Sequence, residues 1–321
     1  MQNTISAQSR GGLDTRARQR TGSRIWSNML RYWPLYIMAI PGVIFLVIFK
    51  YIPLAGSVIA FQDYNVFQGF LHSPWVGFKH FQALIDYAGF RRVFVNTFVL
   101  GVLKTVFVFP VPVLLALMIN EVRKALLKKG IQTALYIPHF LSWVIVAGIT
   151  FDLFAIGGLY NVVMGWFGHA PVLIMQDSDY FRPIYVLTGL WKDAGWGTVV
   201  YMAAISSIDP QLYESAMMDG ASRFKQIRHI TFPLLLPTVV ILFLLEIGNF
   251  MELGFEHVYN LLTPMTYDKG DILDTYVFRT GIQQAQYSFA TAVGLFQAVI
   301  GFVLVYTFNR VSKKVSDGGL W

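Results

Sequence analysis

Cysteine is missing from all 321 positions, so neither a disulfide framework nor a thiolate metal site can organise this chain. Charge is scarce as well: 13% of residues are Asp, Glu, Lys or Arg, where soluble domains carry about 25%. Also absent is any glycine followed by lysine. That alone excludes the G-x-x-x-x-G-K-[ST] loop that cradles nucleotide phosphates. His72, His80, His139, His169, His229 and His257 show no paired metal-ligand spacing, and no nucleophile cluster suggests a hydrolase, so no catalytic residue and no metal site are expected. What is abundant is apolar surface. Hydrophobic residues make up 55% and aromatics 16%, with a mean hydropathy of +0.52. A domain of this composition does not keep itself dispersed in water, and an integral membrane protein is the first expectation. The pI near 9.5 and net charge of +7 raise nucleic acid as a partner. That requires basic residues gathered on one soluble face, and they are not so gathered, so nucleic acid is not expected.

Six stretches match the roughly 20 helical residues that cross a hydrocarbon core. They are Leu35–Leu54, Phe94–Met118, Ala134–Ala155, Ile184–Ile205, Leu234–Gly254 and Phe289–Phe308. The expected fold class is therefore an all-α, multi-pass membrane protein with six transmembrane helices. Residues 1–31 form a basic tail, residues 32–310 the membrane domain and residues 311–321 a second tail. The first span reads as an anchor, because it has a long apolar core and no small-residue cleavage site. With the N-terminus inside, sixteen of the 25 basic residues fall on one side of the membrane. They sit in the first tail, around Arg123–Lys129, around Arg223–Arg228 and after Arg310. By the positive-inside rule both termini are cytoplasmic.

Between the fourth and fifth spans, residues 206–233 include the polar run YESAMMDGASRFKQIRHITFP. Asp209 can cap a helix whose first residue is Pro210, a position where the missing N–H costs nothing. Gly220 is a natural stop in left-handed conformation. Ser222 can cap a second helix to about Ile230, with Pro233 breaking the chain before the next span. A solvated connector has a similar composition, but bundle connections usually need about 2–8 residues, and a structured loop several times longer asks for a purpose.

Inside the spans, charged residues are costly and usually face protein or a water-filled cavity. Setting aside Lys50, near the outer end of the first span, they are Lys104, Asp152, Lys192, Asp193, Glu246 and Glu252. Glu246, Asn249 and Phe250 are spaced to share one helix face, and a carboxylate, an amide and a ring together suit a sugar. Trp143, Trp191, Lys192, Trp196 and Tyr201 are the further candidates for a lined path. The competing reading has Glu246 paired with Lys104 or Lys192 as structural glue, and the aromatics anchored at the interfaces.

Residue by residue, Glu214, Ala216, Gly220, Ile230 and Pro233 match the cytoplasmic loop of the permease subunits of bacterial ABC importers, with Ser215 and Phe232 departing from the usual alanine and leucine. The chain resembles that family over most of its length. YIMAIPGVIFLVIFKYIPLAGSVIAFQDYN and LWKDAGWGTVVYMAAISSIDPQLYESA are similar to its oligosaccharide and polysaccharide branch, and within it to permeases of alginate-type importers. The resemblance implies a type I importer permease in the bacterial cytoplasmic (inner) membrane. It makes the loop a coupling helix seated in a separate ATPase, with Tyr213, Glu214, Ala216, Met217, Asp219, Gly220, Arg223, Ile230 and Pro233 as the docking set. It further implies two copies of an ABC ATPase that bind ATP and Mg in this chain's stead, a second, related but non-identical permease, an extracytoplasmic solute-binding protein, a carbohydrate substrate and surrounding lipid. The rival reading is a stand-alone secondary transporter driven by protons or sodium. No convincing internal repeat favours it, and it leaves the polar loop unexplained.

Overall fold

The computed structural model describes residues 31–316; the basic tail before Arg31 and the last five residues lie outside the described residues. Among the described residues there are helices and turns but no strand, only an isolated antiparallel bridge between Gln62 and Trp75. The helices that matter here are α1 (Trp33–Phe61), α2 (Lys79–Asp86), α3 (Phe90–Asn120) and α4 (Ala125–Tyr136). They continue with α5 (Trp143–Phe154), α6 (Leu159–Trp166), α7 (Ser178–Ser206) and α8 (Pro210–Met218). The last four are α9 (Arg223–Gly248), α10 (Phe255–Leu261), α11 (Leu273–Val277) and α12 (Tyr287–Ser316). The chain divides into two compact units, Met1–Val58 and Ile59–Trp321. In the first unit the described part is α1 as far as Val58.

Among the described residues, five helical stretches are long and apolar enough to cross a membrane: α1, α3, α5 continued by α6, α9, and α12 to Val311. The sixth expected span lies in α7, which has 29 residues. It is long enough, but Arg182, Lys192 and Asp193 dilute its apolar character. α7 starts earlier than the hydrophobic run because Asp177 caps it, accepting from the Asp179 N–H at 2.9 Å. The third expected span is interrupted at its start. Leu141 and Ser142 leave the helix, and Ser142 caps α5 by accepting from the Ile145 N–H at 3.3 Å.

Pro233 does not break the chain. α9 begins at Arg223 and runs through it, because residues Ile227–Thr231 form one π-helical turn before Phe232 and Pro233. Proline offers no N–H to the preceding turn, and its ring crowds the carbonyl four residues back. One extra residue in that turn relieves both problems. The same device recurs at Val47–Tyr51 before Pro53 in α1, and at Lys104–Val108 before Pro110 in α3. In α3 the Phe109 N–H reaches back five residues to the Lys104 carbonyl at 3.1 Å. Such bulges concentrate at functional positions, and Lys104 sits on one.

In the second unit α7 is the central helix, packed against α3, α4, α9 and α10. One buried cluster joins Phe181, Ile184 and Tyr185 of α7 to Leu253, Val258 and Leu261. A second joins Val93, Ile247, Phe250, Met251 and Tyr276. A third joins Val113, Ala116, Tyr201, Ile205 and Leu235 toward the end that carries α8. At the opposite end the chain after α1 is pinned to the start of α12, where the Tyr64 N–H donates to Ser288 Oγ at 2.9 Å. Lys79 there donates to Asp63 at 2.6 Å, which holds the Asp63 carboxyl below the usual carboxylate range.

Candidate functional site: a polar cavity and a helical knob

A cavity of about 890 Å³ opens between α3, α5, α7, α9 and α12. α3 contributes Lys104 from its π-helical turn and α9 contributes Glu246. The two form an ion pair, Nζ to Oε1 2.9 Å, with side chains 29% and 24% exposed. α9 ends at Gly248, so Asn249 and Glu252 reach the cavity from the turn that follows. α7 adds Tyr185 and Asp193, while Asp274 and Gln297 close another side. Gln297 donates to Asp274 at 2.9 Å.

One wall is a stack of three rings. His257 lies between Trp143, 3.6 Å away at 12°, and Tyr185, 4.4 Å away at 19°. Hydrogen bonds fix the stack: His257 Nε2 is 2.8 Å from the Thr188 hydroxyl, and the Tyr185 hydroxyl donates to the Leu253 carbonyl at 3.0 Å. Behind Trp143, Lys192 is buried, with its ammonium 5.2 Å over that ring and donating to the His139 carbonyl at 2.7 Å. The cavity therefore places aromatic side chains, the edge of the Trp143 stack and the exposed Phe302 ring, next to carboxylates, amides and one accessible ammonium. Sugars need both kinds of surface, since their hydroxyls require partners and their C–H faces pack on rings.

The candidate pathway residues are divided by the fold. Trp143, Glu246 and Asn249 line the cavity. Phe250 does not share their face: it is buried against Phe98 at 5.4 Å, and a Cβ on Gly101 would stand 2.9 Å from its ring. The reason is that α9 stops at Gly248, so helical spacing no longer applies beyond it. Tyr201 is core. Trp196 stacks on His139 at 4.8 Å and 2°, and Trp191 is half exposed away from the cavity. Tyr185, Asp193, His257, Asp274 and Gln297 are cavity residues that sequence reasoning did not select. Asp193 carried a signal, as a charge inside a span, and Lys104 carried the same one. His257 and Asp274 carried none, because they lie between spans and only tertiary folding brings them in.

The knob at one end of the unit is α8 and its turn. Asp209 Oδ1 accepts from the Gln211 N–H at 2.9 Å, with Pro210 in the first position. Gly220 takes φ +74°, and the Ala221 N–H returns to the Ala216 carbonyl at 2.9 Å, closing the helix in a left-handed cap. Leu212, Met217, Met218 and Phe224 are exposed there. Glu214, Asp219 and Pro233 are exposed as well, and Ala216 and Ile230 half-buried. Two contacts brace the knob against the bundle. The Tyr213 hydroxyl meets Thr231 Oγ1 at 3.0 Å, and Arg223 pairs with Glu121, at the end of α3, at 2.7 Å.

An all-helical bundle of apolar helices with a polar cavity among them is the build of a membrane transport subunit. The chain matches the family of the binding-protein-dependent transport system inner membrane component over residues 88–317. It belongs to that family and is a permease of a sugar ABC importer, a membrane component that is not itself catalytic. It is 47% identical to the polygalacturonan/rhamnogalacturonan transport system permease protein YteP of Bacillus subtilis (strain 168), over 93% of each chain. Protein LplB of the same organism is 44% identical over 89% of this chain and 91% of that one. Among solved structures, a bacterial ABC transporter involved in the import of the acidic polysaccharide alginate superimposes with a TM-score of 0.84 at 41% identity. That match covers 91% of this chain and 99% of the other. The same transporter type has been solved with an alginate pentasaccharide-bound periplasmic protein.

Proposed function

We propose that this permease forms half of the pathway for a uronate-bearing oligosaccharide, and that α8 couples the pathway to a separate ABC ATPase. ATP and Mg are then bound by two copies of that ATPase, since this chain has no phosphate loop of the G-x-x-x-x-G-K-[ST] type. A related, non-identical permease completes the pathway, and a solute-binding protein delivers the sugar on the side opposite the knob. Closure of the ATPase pair moves the docked knobs and biases the bundle between inward- and outward-facing states. Moving such an equilibrium from 1:99 to 99:1 takes about 5.5 kcal/mol of differential binding.

The observation that carries the substrate class is the Lys104–Glu246 pair in the cavity. A uronate carboxylate entering there competes with Glu246 for the Lys104 ammonium, while its ring packs against the exposed Phe302 that lines the same cavity. The relatives above 40% identity whose substrates are named handle acidic polysaccharides, which supports the same choice. The test is uptake by the assembled transporter of an oligouronate and of its carboxyl-reduced, neutral counterpart. Lys104→Gln is expected to lower oligouronate uptake about tenfold, the equivalent of about 1.4 kcal/mol, and to leave the neutral sugar nearly untouched. Equal losses for both sugars would remove Lys104 from substrate recognition.

A further inference from the structure

Between α9 and α12, on the side opposite the knob, lies a second cavity of about 320 Å³ that the pathway described above does not use. Its residues come from α10 and the connection that follows it, from Thr275 of α11 and from the π-helical turn Phe278–Gln283 after α11. The Tyr259 ring is 44% exposed, backed by Phe255 in a stack at 5.0 Å and by the edge of Phe278 at 5.3 Å. Beside it stands Arg279. Its guanidinium grips the buried Asp271 carboxylate in two-fold fashion, at 2.7 and 3.3 Å, and lies over Tyr267 at 5.1 Å and Tyr276 at 5.6 Å. Thr275 donates to the same carboxylate at 2.8 Å. The guanidinium is thereby held in one orientation, with 27% of its side chain left exposed. The two amides are also available. Asn260 donates a side-chain N–H to the Glu256 backbone carbonyl at 2.7 Å, which leaves its side-chain oxygen to accept, and Gln283 is exposed.

We propose that this cavity is a second carbohydrate subsite. It takes one pyranose ring of the transported oligosaccharide, stacked on Tyr259, with ring hydroxyls or a uronate carboxylate on Asn260, Gln283 and Arg279. A flat, backed ring next to one acceptor, one donor–acceptor amide and a fixed guanidinium matches what a pyranose presents: an apolar C–H face edged by alternating hydroxyl donors and acceptors. A structural strut alone would account for Arg279 and Asp271. It gives no reason for an exposed, buttressed tyrosine with the Asn260 amide and the exposed Gln283 amide around it. Placement supports the assignment further. α10 turns His257 toward the large cavity and Tyr259 toward the small one, and α11 does the same with Asp274 and Thr275. The two cavities thus share walls, as neighbouring subsites for a chain longer than one sugar do. The inference rests on the sugar-import reading and extends it.

The test uses the assembled transporter in nanodiscs with a radiolabelled trigalacturonate. A benzophenone amino acid is placed at position 283, and in a second preparation at position 302, which lines the large cavity. Illumination is expected to attach the sugar at both positions. The adduct at 283 should fall about tenfold with Tyr259→Ala and persist with Tyr259→Phe, which keeps the ring. Arg279→Gln, which keeps the site polar and removes the charge, should weaken the adduct with trigalacturonate more than with its carboxyl-reduced form. An adduct at 302 with none at 283, or an adduct at 283 that Tyr259→Ala leaves unchanged, would overturn the subsite and spare the import function. A cross-link from 283 to protein in place of sugar would also overturn it. Absence of sugar at both positions would instead sink the import reading for this ligand, and the subsite with it.

Discussion

At the scale of single residues, the chain uses few charges and pairs several of those inside its spans. Lys104, Glu246, Asp193 and Lys192 all have named partners, as intramembrane charges must. Arg223 and Glu121 pair where half of the arginine and a third of the glutamate side chain remain exposed, so the bond adds little to stability. Its value is positional, because it joins the knob to the end of α3, whose π-helical turn carries Lys104. Arg223→Glu should therefore leave assembly intact yet lower sugar moved per ATP consumed, and the double exchange Arg223→Glu with Glu121→Arg should recover most of that ratio. A double exchange as defective as the single one would show that the contact transmits nothing. Phe250 teaches the opposite lesson at this scale. Its spacing from Glu246 reads as one helical face in the sequence, yet the helix ends two residues earlier and the ring turns into the core.

At the scale of elements, proline is accommodated by π-helical turns and does not end helices. In α9 the turn Ile227–Thr231 also sets the angle between the knob and the span, since one residue added or removed rotates everything before it by about 100°. Deletion of His229, exposed within that turn, should cost about 3 kcal/mol by returning Pro233 to an ordinary helical register. Adding Pro233→Ala should restore the amount of assembled protein recovered from membranes. It should not restore transport, because the knob stays rotated. Recovery of both together would mean that the bulge only relieves proline. The knob itself was legible in the sequence, since its caps are local chemistry: Asp209 before Pro210, Gly220, then Ser222. The bulges were not, because a proline alone does not say whether a helix stops or absorbs it.

At the scale of the whole molecule, the spans could be read from length and hydropathy, while the cavity could not. Its walls are assembled from spans and from the turns between them, so residues such as His257 and Asp274 acquire meaning only after folding. The orientation proposed from the distribution of basic residues has a direct check, because the chain has no native cysteine. In right-side-out vesicles, Gln283→Cys should react with an impermeant maleimide, and Met218→Cys should react only after permeabilisation; both residues are exposed in the structure. The reverse pattern would invert the topology and place the small carbohydrate cavity on the wrong side. Above all, in the proposed mechanism the knob is the joint through which ATP hydrolysis in another protein drives the sugar cavity. Gly220 holds a φ of +74° with open space around it, so a tryptophan there is strained by roughly 1 kcal/mol or more and projects into the docking surface without touching the bundle. The decisive measurement is substrate-stimulated ATP hydrolysis by the assembled transporter carrying Gly220→Trp, with membrane insertion followed in parallel. The account predicts normal insertion, weakened ATPase association and loss of the stimulation; wild-type stimulation and full ATPase association would contradict it.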